Sequence, residues 1–159
     1  MPSSANRPSL VPEVPKEYGT LTRGMFGPYL PTSEPRRHLY DLVADYPNRG
    51  GKMMRSSICI AATRAFGGRT EDALPSAVSI ELLHNAMLIH DDIEDDSELR
   101  RGAPTLHKKY DWTLAINAGD ALHARMWGML VANSRQLGSE KALAVLHKGL
   151  AQGYYREDL

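Results

Sequence analysis

Cysteine, phenylalanine and net charge are all scarce in this chain. One cysteine among 159 residues leaves no internal disulfide framework, which favours a reducing compartment and places the expected location in the cytoplasm. That residue, Cys59, lies in the apolar run Ile58-Cys59-Ile60-Ala61-Ala62, where a small buried hydrophobe is expected. Nineteen basic residues balance nineteen acidic ones, so no global field recommends nucleic acid or an anionic membrane as a partner. No apolar run reaches about 18 residues, the length that a spanning helix needs. The opening Met1-Pro2-Ser3-Ser4-Ala5-Asn6-Arg7-Pro8 lacks the apolar core of a signal segment. Strand-like alternation and internal repeats are missing too. These absences leave a soluble all-α chain of one domain's length, long enough to bury a core.

Residues 1–31 carry six prolines and little periodicity, which predicts a flexible Pro/Ser-rich arm ahead of a helical domain over 32–159. Ser33 offers a helix cap with Pro35 in the first turn, and Leu39, Leu42, Val43 and Tyr46 recur at helical spacing. The run Pro47 to Gly51 ends that helix. A second, from about Lys52 to Phe66, is apolar almost all round between Ile58 and Ala65, which predicts a place deep in the core. A third, capped by Thr70 or Asp72 with Pro75 in its opening turn, runs into a cluster of acids. Beyond Pro104 a short helical piece near Thr105–Tyr110, a long helix over Trp112–Ser134 and a final amphipathic helix from Ser139 are expected.

The acids are dense. Asp91-Asp92-Ile93-Glu94-Asp95-Asp96 follows directly on the apolar run Ala77 to His90 and precedes Arg100-Arg101-Gly102. On a helix Asp91 and Asp95 fall about 40° apart with Asp92 on their flank. Carboxylates converging in this way repel unless a cation sits between them, and hard oxygen donors suit Mg²⁺ together with substrate phosphates. The arginine pair adds guanidinium forks that match phosphate oxygens. An acidic run is most often a solvated helix end; here it caps a helix that reads as buried, which favours a site. The alternating spacing of an EF-hand calcium loop is absent.

Upstream, Gly50-Gly51-Lys52-Met53-Met54-Arg55 is a glycine break feeding a helix start, where freed amides and the dipole welcome an anion. Lys52 and Arg55, three residues apart, can reach one phosphate from one face. The spacing is not that of a P-loop. His84 lies two turns before Asp91 on the same face; a lone histidine there is otherwise a hydrogen-bonded core residue. With one cysteine and no His-x-x-x-His pair nearby, zinc is excluded.

Taken together these segments resemble the N-terminal part of a trans-isoprenyl diphosphate synthase of the polyprenyl synthetase family. Asp91, Asp92, Asp95, Arg100, Arg101 and Gly102 match its first aspartate-rich motif, Asp-Asp-x-x-Asp followed by Arg-Arg-Gly. Gly50, Gly51, Lys52, Arg55 and His84 also fall in place, and Ala103 to His107 and Asn117 to Asp120 resemble further family segments. Met53 and Ser56 stand where members commonly carry arginine and proline.

The resemblance implies an incomplete antiparallel helical bundle of the isoprenoid synthase type. It implies a prenyltransferase that joins an allylic diphosphate to isopentenyl diphosphate and lengthens the chain by five carbons. By the same resemblance Asp91, Asp92 and Asp95 bind Mg²⁺ that grips the allylic diphosphate, with Arg100 on that group. Lys52, Arg55, His84 and Arg101 hold isopentenyl diphosphate. Small Ala86, five residues before Asp91, favours a product of the geranylgeranyl (C20) type. The family's second aspartate-rich motif is not among these residues, so apolar faces are expected to be exposed and a homodimer, or association with a full-length subunit, to cover them. Two alternatives stay open: a non-catalytic half-subunit that binds diphosphate or a full-length partner, and a class I terpene cyclase. The cyclase fits less well, because it has no second diphosphate for Lys52, Arg55 and the arginine pair.

Overall fold

The computed structural model describes residues 13–30 and 35–138, together with 144, 147 and 148. The expected arm is helical over its second half. Helix α1, Glu13–Gly24, is followed by a 3₁₀ turn at Gly27–Tyr29. The prolines explain how: Pro12 and Pro15 fall before or within the first turn and Pro28 lies beyond the end, so residues 16–27 contain none. Thr20 and Thr22 bond their hydroxyls back to the carbonyls of Lys16 and Tyr18, and Phe26 and Leu30 are buried. Burial, rather than helix propensity, holds this segment.

A π-helical turn at Arg36–Tyr40 leads into α2, Asp41–Asn48, which buries Leu42, Val43 and Tyr46 as the spacing predicts and ends one residue past Pro47. The Ser33 cap lies outside the described residues. Helix α3, Met54–Ala65, departs from expectation. Its buried side is Ser56, Ser57 and Ile60, while Ile58 is 62% exposed and neighbouring Phe66 93%. Only one side of α3 meets α1 and α4, so an all-round apolar sequence becomes an open apolar face among the described residues.

Helix α4, Thr70–Glu94, runs for 25 residues, about 37 Å. A two-residue hairpin, β1 Leu99–Arg100 with β2 Ala103–Pro104, pairs Arg100 with Ala103. Then come α5, Leu106–Lys109, and α6, Trp112–Leu137, capped where Asp111 accepts from the Leu114 amide at 2.7 Å. Helices α4 and α6 form the principal pair. They run antiparallel: Asn133 donates to Ser76 Oγ at 2.7 Å near one end, and Gly119 abuts His90 near the other. Val78, Leu82, Ala86 and Ile89 face Ala115, Ala118, Leu122 and Met126, each set at helical three- or four-residue steps. Among the described residues no helix is long and apolar enough to cross a membrane. The expected helix from Ser139 lies outside the described residues apart from residues 144, 147 and 148.

Candidate functional site

The final turn of α4 separates its acids. Asp91 and Asp95 are exposed, and Asp95 is the helix cap; Asp92 is wholly buried. Tyr46, from α2, donates to Asp92 Oδ2 at 2.5 Å. Arg100 engages both carboxylate oxygens, with Nε at 2.9 Å from Oδ1 and 3.1 Å from Oδ2, and Nη2 adding a second contact to Oδ1. Burial first, and the Asp92 carboxylate second, hold the Tyr46 hydroxyl well above the usual phenol range, so it remains a donor. The expected convergence of three carboxylates is therefore not what the structure shows. Among the described residues no group of three such ligands is placed to hold a metal ion. Asp91 and Asp95 keep exposed oxygen donors of the hard kind that Mg²⁺ prefers, whereas both oxygens of Asp92 are committed to protein.

The arginine pair does not continue the helix; it sits on the hairpin. Arg101 and Gly102 both have positive φ, 54° and 78°, as a two-residue hairpin turn of type I′ requires. That turn sends the two side chains apart. Arg100 goes to Asp92, while Arg101 Nη1 donates to the Tyr46 carbonyl at 3.0 Å and to Asn85 Oδ1 at 3.3 Å. Arg49 ties the hairpin to α2: it pairs with Asp45, stacks over the Tyr46 ring at 4.6 Å, and donates to the carbonyls of Arg100 and Pro104 at 3.1 and 2.7 Å.

Lys52, Arg55, His84 and Arg101 do converge. With Arg49 they line a cleft of about 490 Å³ whose single carboxylate is Glu81. That carboxylate is turned inward: Oε1 accepts from Ser56 N at 3.1 Å and Ser56 Oγ at 3.0 Å, fixing the start of α3 against α4. Arg55 Nη1 lies 3.3 Å from His84 Nε2. Burial, then the Arg55 charge, lowers the His84 imidazole below its ordinary value, so it is neutral at pH 7 and can accept from Arg55. The cleft thus presents four cations and a neutral imidazole, an arrangement made for a polyanion.

The depressed His84 value has a sign that can be checked. The unfolded chain takes up a proton near the ordinary histidine value, about 6.5, and the folded chain only below it. Stability is thus greatest above that value and falls as the pH drops through it. Thermal melts between about pH 7.5 and 5 should show a larger loss for the native chain than for His84→Gln. Equal losses would contradict the assignment.

Tyr46, Arg49, Glu81 and Asn85 also belong to this site; the sequence marks Tyr46 as part of a buried stripe and gives none of the four a functional reading. A signal existed for two of them: Glu81, Asn85 and Asp92 are polar positions at helical spacing inside an otherwise apolar run. Ala86, read as a determinant of product length, is packed in the core rather than lining open space.

The polyprenyl synthetase family model matches residues 36–154. The geranylgeranyl diphosphate synthase of Sulfolobus acidocaldarius is 43% identical over 102 residues, which cover 64% of this chain and 31% of that protein. The chloroplastic geranylgeranyl pyrophosphate synthase of Catharanthus roseus is 40% identical over 99 residues, 61% of this chain and 28% of that one. Among solved structures, an FPP/GFPP synthase from Zymomonas mobilis superposes with a TM-score of 0.80 at 31% identity, covering 89% of this chain and 51% of the other. Geranylgeranyl pyrophosphate synthetase from Pyrococcus horikoshii gives 0.72 at 34%, covering 94% and 49%. The chain spans about a third of the curated relatives it matches. The family match takes in every element from the π-helical turn before α2 to the end of α6, the cationic cleft and the aspartate turn included, and the chain belongs to the polyprenyl synthetase family.

Proposed function

We propose that this chain provides the isopentenyl-diphosphate wall and the first aspartate-rich turn of a prenyltransferase that extends an allylic diphosphate, with a C20 product favoured. The observation that carries this reading is the cleft in which Lys52, Arg55, His84 and Arg101 meet beside Arg49. Lys52, Arg55 and Arg101 supply donors to phosphate oxygens there, while the Glu81 carboxylate is taken up by Ser56. Asp91 and Asp95 are the residues that would hold Mg²⁺. Asp92 is instead an anchor for Arg100, and through it for the hairpin that delivers Arg101. Bound Mg²⁺ would neutralise the charge that develops on a departing allylic diphosphate. The chain's own part is to orient the isopentenyl diphosphate and to keep its anion compensated while the new bond forms.

A second reading is favoured by the apolar side chains left open on α3 and α6, among them Ile58, Phe66, Trp112 and Ile116. In that reading the chain docks these faces on a partner, a second copy or a full-length subunit, and binds diphosphate without turning it over. A prenyl-transfer assay on the chain with Mg²⁺, isopentenyl diphosphate and an allylic diphosphate separates the two. Elongated product lost on Arg55→Ala supports catalysis. Retained diphosphate binding with no product supports the partner role.

A further inference from the structure

Resting on the reading of the cleft as a diphosphate site, we propose that α1 is part of that site, with Arg23 a positioning residue that acts through the carbonyl of Gly51. The family match begins at residue 36, after α1, and nothing in the motifs points to this helix. The contact spans 28 residues of sequence: Arg23 Nη2 donates to the Gly51 oxygen at 3.0 Å.

The loop needs such a restraint. Gly50 and Gly51 have φ of 79° and 150°, and Met53 is left-handed at 50°. Backbone bonds hold the loop at its ends, Gly50 N to the Pro47 carbonyl at 3.3 Å and Ser57 N to the Met53 carbonyl at 3.0 Å, so the Gly51–Lys52 peptide between them is the one left to a side chain. Across a trans peptide the N–H of Lys52 points opposite to the Gly51 carbonyl. Anchoring that carbonyl toward α1 therefore turns the Lys52 amide away from α1. Arg101 closes on the same residue, since a Cβ on Gly51 would lie 3.1 Å from its Nη2. Gly51 is held between two guanidiniums, and the next residue, Lys52, lines the cleft.

Gly19 supplies a second restraint, one turn before Arg23. A Cβ there would stand 2.9 Å from Met53 Cβ, so α1 approaches the loop this closely only because residue 19 has no side chain. Behind the loop lies a further cleft of about 390 Å³ whose lining includes Lys16, Arg23 and Lys52 and no carboxylate.

The test is a titration of inorganic diphosphate, without divalent metal, into the full chain and its variants. Losing the Gly51 restraint should weaken binding about five- to tenfold in Arg23→Ala, the range of one hydrogen bond. Arg23→Lys, which keeps a donor, should recover most of it. Gly19→Ala improves helix propensity yet displaces Met53, so it should weaken binding while helicity is kept. Lys16→Gln removes an exposed charge from the same helix and leaves the Arg23 bond to Gly51 intact, so it should change affinity less than about twofold, as a screened surface charge does. Hydrogen exchange at the Lys52 and Met53 amides should quicken in Arg23→Ala but not in Lys16→Gln. Native-like affinity in Arg23→Ala, or an equal loss in Lys16→Gln, would overturn the proposal. Should Arg23→Ala fail to fold, Gly19→Ala decides, and native-like affinity there would equally overturn it. Absence of diphosphate binding in the native chain would instead remove the reading of the cleft itself.

Discussion

Replacing Arg100 by alanine is expected to cost about 3 kcal/mol of stability, the lower part of the range for breaking a buried ion pair by removing one partner. The reason is the asymmetry of the pair. Asp92 has no exposure, while the Arg100 side chain keeps 30% of its own. Deleting the arginine strands a carboxylate in the interior with Tyr46 as its remaining side-chain donor. Deleting the carboxylate leaves a guanidinium that can turn to water, so Asp92→Leu should cost less than Arg100→Ala. For a chain of this length 3 kcal/mol lowers the melting temperature by roughly 6–12 °C. The double variant Arg100→Ala with Asp92→Leu removes the stranded charge and should be more stable than Arg100→Ala alone. A double variant no better than the single would show that Arg100 works through the hairpin and not through Asp92. Asp91→Ala, at an exposed position, should stay within about 0.5 kcal/mol of the native chain.

The second large effect is expected at Gly119. A Cβ there would fall 2.3 Å from His90 Nε2 and 2.8 Å from its Cδ2, far inside van der Waals contact. Alanine would gain about 1 kcal/mol of helix propensity in the middle of α6. His90 is enclosed at Nε2 while its side chain as a whole keeps 31% exposure, so the ring has to leave the seam between α4 and α6 or the two helices have to part. A net loss of about 2 kcal/mol is expected, from overpacking that outweighs the propensity gain. The sign should reverse when the ring is removed: with His90→Ala in the background, Gly119→Ala should stabilise. Chemical denaturation of the four chains measures this. A destabilising Gly119→Ala in the His90→Ala background would place the cause elsewhere. Since His90 precedes Asp91, the same close approach also sets where the aspartate turn begins.

Helices α4 and α6 were legible from sequence because their apolar residues recur every three or four positions and each helix is long enough to bury that stripe. The convergence of Lys52, Arg55, His84 and Arg101 followed from motif spacing together with the family resemblance. Other features were hidden for physical reasons. Helix α1 has its prolines outside residues 16–27, and a count over 1–31 blurs that gap. Arg100 and Arg101 carry no mark of a hairpin apart from Gly102; only the positive φ of both turn residues reveals that they point apart. Asp92 looks like its neighbours in sequence, and burial against Tyr46, 46 residues away, is what distinguishes it. The α3 run reads as core because apolar residues surround it, yet only one of its sides is covered.

The most direct measurement is a calorimetric titration of isopentenyl diphosphate into the full chain, first without divalent metal and then with Mg²⁺. Four cations and a single carboxylate, Glu81, line the cleft, so saturable binding is expected without metal, weakened about tenfold or more by Arg55→Ala or Arg101→Ala through loss of a charge-assisted hydrogen bond. Asp91→Asn should leave that metal-free affinity unchanged. Binding that needs Mg²⁺ and is lost in Asp91→Asn, while Arg55→Ala and Arg101→Ala bind like the native chain, would contradict the assignment of this cleft.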